Sequence, residues 1–364
     1  MTVQIIIGDA REQLKGLSDC SVQTCVTSPP YFGLRDYGVD GQMGLEATPD
    51  EFVAGMVDLF REVRRVLRDD GTLWLNLGDS YAGSGRGIGD TKTSNKGNAT
   101  SRDMHDRMVE AGSIGRFWVK PPQGLKQKDL IGIPWRVAFA LQADGWYLRQ
   151  DIIWSKPNPM PESVRDRCTK AHEYIFLLSK GPKYYYDQDA ILEPVSPNTH
   201  ARVSQDVINQ VGSARAHAGG KTNGNMKAVV RNPKQAQPGS GIKNNSSFAD
   251  AVCLPVSERN KRSVWTVATQ PFKGAHFATF PPALIEPCIL AGSPVGGMVL
   301  DPFGGAGTTG LVANRLGRNA TLIELNPEYA EMARRRIRAD LGRVESQMPD
   351  RHDDAGPLFG SVSA

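Results

Sequence analysis

Ser28-Pro29-Pro30-Tyr31 is the run of this chain that carries the most chemistry. It follows a β-branched segment, residues 22–26, that reads as a buried parallel strand. Two consecutive prolines fix φ and remove two N–H donors, which leaves the carbonyls of Ser28 and Pro29 available to a cleft as unopposed acceptors. Tyr31 adds a flat ring. Two acceptors beside an aromatic face suit an amino group conjugated to a planar heterocycle. They take its N–H groups and favour a pyramidal nitrogen with its lone pair free to attack. A proline-rich strand exit also serves as an ordinary turn, so the run needs corroboration elsewhere.

The second constellation is residues 298–310, Met-Val-Leu-Asp-Pro-Phe-Gly-Gly-Ala-Gly-Thr-Thr-Gly, which read as a strand, a glycine-rich turn and a helix start. Glycines let the backbone approach a ligand and take positive φ, while a helix amino terminus offers free N–H groups. No Gly-Lys-Ser/Thr follows, which argues against a nucleoside triphosphate loop. Glu324 ends the next strand, 23 residues after Asp301, where a carboxylate can accept hydrogen bonds from both hydroxyls of a ribose. Glycine turn plus acid indicates an adenosine-containing cofactor, and on these residues alone a nicotinamide dinucleotide fits almost as well. Upstream, His276-Phe277-Ala278-Thr279-Phe280 leads into a helical pattern and by itself reads as a loop closed by Phe packing.

These residues need elements to hold them. Strands are expected at 3–7, 22–26, 72–77, 150–154, 174–178, 298–300 and 320–323. Helices are expected from about Pro49 to Leu67, with Asp69-Asp70-Gly71 as the stop, and at 134–143, 281–291, 308–316 and 327–341. Strands 3–7 and 22–26 both read as buried. Alternating strands and helices predict an α/β protein with a mostly parallel sheet covered on both faces. Periodicity dissolves between 194 and 263, and again between 83 and 128, into Asn, Gly, Ser, Pro and Lys. The expected organisation is therefore 1–193 as the first part of a catalytic domain with a loop at 83–128, then 194–263 as an inserted module. Residues 264–345 complete the domain as its cofactor-binding part, and 346–364 form a polar tail.

The 364 residues carry a formal charge of only +4, but it is unevenly placed. Residues 194–263 hold ten basic and three acidic side chains, and 83–128 hold nine and four, so the rest of the chain is acidic. Two basic patches on an acidic body suit a polyanion such as nucleic acid, although solvated loops can also be basic. The five cysteines, Cys20, Cys25, Cys168, Cys253 and Cys288, have no CxxC spacing, which argues against a disulfide framework and a zinc site. No metal is expected. Apolar runs are too short to span a bilayer and the amino terminus lacks a signal-peptide layout, so a cytoplasmic protein is expected.

Taken together, the Ser-Pro-Pro-Tyr run, the Asp-Pro-Phe-Gly-Gly-Ala-Gly-Thr-Thr run and the His-Phe-Ala-Thr-Phe-Pro run resemble the N4-cytosine and N6-adenine DNA methyltransferases. The catalytic motif comes first and the cofactor motif last, the permuted order called class β. Trp154-Ser155-Lys156-Pro157-Asn158-Pro159 and His172-Glu173-Tyr174 extend the likeness, which covers roughly residues 4–337 apart from the two basic insertions. The resemblance implies a Rossmann-like, circularly permuted fold and S-adenosyl-L-methionine as cofactor. It places Ser28, Pro29, Pro30 and Tyr31 at a flipped base. Asp9, His276, Phe277, Ala278, Thr279, Phe280, Asp301, Phe303, Gly305, Gly307, Thr308 and Glu324 would meet the cofactor. It makes 194–263 the region that recognises the target and double-stranded DNA the partner, with a homodimer and a cognate restriction endonuclease as further partners to consider. Many adenine enzymes carry an acid where this chain has Ser28, which leans the expectation toward cytosine N4. Cytosine C5 chemistry would need a cysteine nucleophile, and the only Pro-Cys pair, Pro287-Cys288, sits in an apolar helical pattern. A non-catalytic specificity subunit and a nicotinamide-dependent oxidoreductase are the competing readings.

Overall fold

The computed structural model describes residues 1–33, 41–82, 121, 124–195, 258–270 and 280–347. The chain divides into two compact units, residues 1–190 with 262–364 and residues 191–261. In the smaller unit, β6 (Glu193–Pro194) pairs antiparallel with β7 (Glu258–Arg259), and Arg259 forms an ion pair with Glu193 at 2.9 Å.

The larger unit is built on an eight-stranded sheet. In chain order its strands are β1 (Val3–Ile7), β2 (Val22–Thr27), β3 (Leu67–Leu77), β4 (Tyr147–Ser155), β5 (His172–Ser179), β8 (Val264–Thr266), β9 (Met298–Asp301) and β10 (Asn319–Glu324). Across the sheet the order is β1-β10-β9-β2-β3-β5-β4-β8, and β5 alone among these runs against the rest. The two strands from the carboxyl end, β9 and β10, thus lie between β1 and β2, the permuted arrangement expected from the motif order. All six residues of β2 are buried, because it has β9 on one side and β3 on the other. β1 was expected to be equally buried and is not: it forms the sheet edge with β10 as its one partner, and Ile7 is 41% exposed.

Helix α1 (Ala10–Lys15) follows β1, and α2 (Pro49–Val66) follows β2. Phe52, Met56, Leu59, Phe60, Val63 and Val66 form the buried stripe of α2, with Thr48 capping it by accepting the Glu51 N–H and Pro49 in the first turn. The helix runs directly into β3, so Asp69-Asp70-Gly71 lies within a strand rather than stopping a helix. Its polarity has a local cause: Val22 pairs with Leu67 but Thr24 pairs with Thr72, so residues 68–71 bulge out of the ladder, with Arg68 and Asp69 exposed and Asp70 half-buried. Helices α3 (Ile133–Ala143), α4 (Pro282–Gly292), α5 (Thr308–Arg315) and α6 (Pro327–Gln347) complete the unit. The end of α4 needs a glycine, since a Cβ on Gly292 would lie 2.7 Å from Thr24 Oγ1 and 2.8 Å from Trp74 Nε1. Because β1, β2, β9 and β10 are parallel, their carboxyl ends, Gly8-Asp9, Ser28, Asp301-Pro302 and Glu324, emerge on one edge of the sheet.

Candidate active site

That edge opens into a cavity of about 820 Å³. Asp9, Phe303, Gly305, Thr308 and Glu324 line it from the β1, β9 and β10 side, while Ser28, Pro29, Pro30, Tyr31, Lys156 and Glu173 line it from the β2, β5 and β4 side. Phe280 also lines the cavity, whereas His276, Phe277, Ala278 and Thr279 lie outside the described residues.

The glycine turn is tied to the end of β10. Gly305, at φ +49°, donates its N–H to Glu324 Oε2 at 2.7 Å, and the Asn326 N–H is bound by Glu324 Oε1 at 2.8 Å. Burial pushes the Glu324 carboxyl above the ordinary glutamate range, although these backbone hydrogen bonds favour its charged form. Asp9 caps α1 through the Arg11 N–H and pairs with the Arg11 guanidinium at 2.7 Å. The hydrogen bond from that guanidinium holds the Asp9 carboxyl below the usual aspartate range despite partial burial.

Two candidates stand behind the cavity wall instead of lining it. Asp301 is 1% exposed and accepts hydrogen bonds from Thr27 Oγ1 and Thr309 Oγ1, each at 2.6 Å, and from the Phe303 N–H at 3.0 Å. Burial pushes its carboxyl up, opposed by these three bonds. Asp301 therefore ties β2, β9 and α5 together beneath the turn. Gly307, at φ +76°, packs on α6: a Cβ there would lie 2.8 Å from that of Ala333. Only glycine suits a position that combines this φ with this approach.

Around Tyr31 the structure assembles a polar network to which motif reading assigned no roles. The Tyr31 hydroxyl donates to Glu173 Oε2 at 2.7 Å and lies 3.3 Å from Asn76 Oδ1. Lys156 Nζ forms an ion pair with Glu173 Oε1, both side chains being largely buried, and stands 4.2 Å from the centre of the Trp154 ring. Asn76 Nδ2 donates to the Tyr174 carbonyl at 3.0 Å. Lys156 and Glu173 fall in runs that extend the family resemblance, without a role assigned to either, and the signal for Asn76 was a polar residue inside the apolar run of β3. A cavity lined by the Ser28-Pro29-Pro30 run, a ring and an ammonium at one side, and by a buried carboxylate beside a glycine turn at the other, has room for an adenosine cofactor and a planar amine together. Among the described residues, no group of three or more His, Cys, Asp or Glu side chains could hold a metal ion.

The same fold occurs in the PvuII DNA methyltransferase, cytosine-N4-specific, with a TM-score of 0.54 and 17% identity over 96% of this chain and 94% of that one. A Thermus thermophilus protein solved with bound S-adenosyl-L-methionine matches with a TM-score of 0.50 and 20% identity, over 93% of this chain and 94% of that one. Both likenesses show the fold, an open sheet flanked by helices that this chain shares with those proteins. Residues 22–335 match the family model for N6/N4 methyltransferases, described as DNA methylase. Type II methyltransferase M.SmaI of Serratia marcescens is 47% identical over 334 residues, which are 92% of this chain and 90% of the relative. Type II methyltransferase M.Cfr9I of Citrobacter freundii is 43% identical over 335 residues, 92% and 87% of the two chains. The chain belongs to the N6/N4 DNA methylase family. It is an enzyme that methylates DNA with S-adenosyl-L-methionine, not an oxidoreductase.

Proposed function

We propose that this enzyme methylates the exocyclic N4 of a cytosine turned out of double-stranded DNA into the cavity. The observation that carries the choice of base is Ser28, a neutral hydroxyl where an acid is common in adenine enzymes, with the Lys156 ammonium lining the same cavity. Along the Watson–Crick edge beside its amine, cytosine presents two acceptors, N3 and O2, which call for donors, whereas adenine presents there one acceptor, N1, and a C–H. The carbonyls of Ser28 and Pro29 hold the two N–H groups of the amine and aim its lone pair. Tyr31 stacks on the ring. S-adenosyl-L-methionine supplies the electrophilic methyl group. Glu324 takes the ribose hydroxyls of that cofactor, the Gly305 turn and Phe303 hold it, and Asp9 lies toward its adenine. The new N–C bond would form from the nitrogen lone pair as the S–CH3 bond breaks with its electrons going to sulfur, leaving the thioether S-adenosylhomocysteine, and the nitrogen would give up one proton to water. Residues 194–263 read the DNA site and 83–128 close over the duplex, both outside the described residues for most of their length. Homodimerisation belongs to this reading as a further expectation. The Type II names of the relatives fit a cognate restriction endonuclease, and an enzyme acting on the chromosome fits the cytoplasm. No described helix is long and apolar enough to cross a membrane.

Plasmid DNA recovered from cells expressing the enzyme, digested to nucleosides and analysed by mass spectrometry, tests the choice of base. N4-methyldeoxycytidine is expected. N6-methyldeoxyadenosine in its place would overturn the reading.

A further inference from the structure

The cavity receives a base that a duplex keeps stacked, so extrusion leaves a gap in the helix that water fills poorly. One side chain at the cavity is suited to that gap. Met160 lines the cavity yet is 86% exposed, the most exposed of the large hydrophobic side chains described. So exposed a side chain adds almost nothing to the packing of this chain, which leaves its apolar surface available to a partner at the cavity rim. Met160 lies on a loop, residues 156–171, whose own build keeps it from collapsing. Pro157, Pro159 and Pro161 stiffen the segment around it. Asn158 Nδ2 donates to the Thr269 carbonyl at 3.3 Å and Asn158 Oδ1 accepts the Thr269 N–H at 3.0 Å, pinning the residue two before it. The loop is closed at its base by the Lys156 N–H to the Ala171 carbonyl at 2.8 Å, and braced within by Arg167 and Glu162 at 2.5 Å.

From this we infer that Met160 is a wedge: it enters the duplex at the target position and occupies the place vacated by the flipped base. Unbranched and polarizable, a methionine adapts to the irregular space between base pairs, and apolar side chains inserted between base steps are a known device of DNA-bending proteins. Lys156 and Asn158 lie on the same segment as the wedge, so the residue that opens the stack and a residue that meets the base move as one piece. The inference rests on the reading of the cavity as the base site.

The test uses full-length enzyme, saturating S-adenosyl-L-methionine and two duplexes carrying its methylation site, mapped beforehand on plasmid DNA modified in cells. In one duplex the target base is paired. In the other it faces an abasic position, so that its extrusion breaks no pair. Met160→Ala should slow single-turnover methylation of the paired duplex about tenfold and leave that of the abasic duplex within about twofold of wild type, while Met160→Leu should behave as wild type on both. Equal rates for Met160→Ala and wild type on the paired duplex would overturn the inference. So would an equal loss on both duplexes, which would make Met160 part of the cavity wall. Tyr31→Ala separates the two readings, because damage to the base site should persist on the abasic duplex. If Tyr31→Ala is fully active on both, the cavity is not the base site and the wedge falls with it.

Discussion

Tyr31 is held from two sides. Its hydroxyl donates to Glu173, and its ring lies so close to Gly78 that a Cβ there would fall 2.4 Å from Tyr31 Cε2. Gly78→Ala should therefore push the ring out of place and cut methyl transfer by at least tenfold while leaving S-adenosyl-L-methionine affinity within about twofold, the order expected when stacking worth about 1–3 kcal/mol per base is lost. Calorimetry and single-turnover rates on the same preparation check this, and a parallel loss of cofactor affinity would count against it. The pH response of the cofactor site follows from Glu324. Burial raises its carboxyl pKa, so the charged form that accepts ribose hydroxyls is lost at a pH above the ordinary glutamate range. Cofactor affinity should then be full where Glu324 is ionised and fall as pH drops through its raised native value, whereas Glu324→Gln should bind weakly and without that dependence. Titrating affinity from pH 8 down to pH 5 for both proteins decides it. Ser28 to Tyr31 were legible in the sequence because they are contiguous, but the carboxylate that fixes Tyr31 lies 142 residues away and nothing in its neighbours announces the pairing.

At the level of elements, periodicity located the strands and helices well, since burial on one or both faces writes itself into the apolar pattern. It failed where burial is not set by the strand's own residues: β1 has the composition of a buried strand but an edge position, and the bulge at residues 68–71 looked like a helix stop. Asp301 shows the same limit. The motif marks it as a ligand contact, while the structure gives both of its oxygens to Thr27, Thr309 and the turn. Asp301→Ala should therefore cost about 2–4 kcal/mol of stability by stranding buried donors, and lower cofactor affinity as a consequence of a loosened turn. Asp301→Asn, which keeps an acceptor in the same place, should retain most of both. Denaturant unfolding monitored beside calorimetry separates this from a direct contact, which would lose affinity with stability unchanged.

For the whole molecule, the uneven charge remains the clearest guide to how DNA is held. Replacing Arg231, Lys234 and Lys243 together with Ala should weaken DNA binding and flatten its dependence on salt by about two to three units of log–log slope, as each lost phosphate contact removes close to one. Affinities measured between 50 and 200 mM salt test this, and an unchanged slope would mean that these side chains touch no phosphate. The order of strands has a consequence of another kind, in the timing of synthesis. A ribosome delivers β1 and β2 among the first 27 residues, yet the strands that must lie between them, β9 and β10, begin at Met298 and end at Glu324. Until then the amino-terminal half waits with its central ladder open, and nothing made earlier can close it. The nascent chain therefore cannot complete its methyl-donor site before β10 has been translated, and a chain cut short of that strand yields no half-built enzyme that marks DNA.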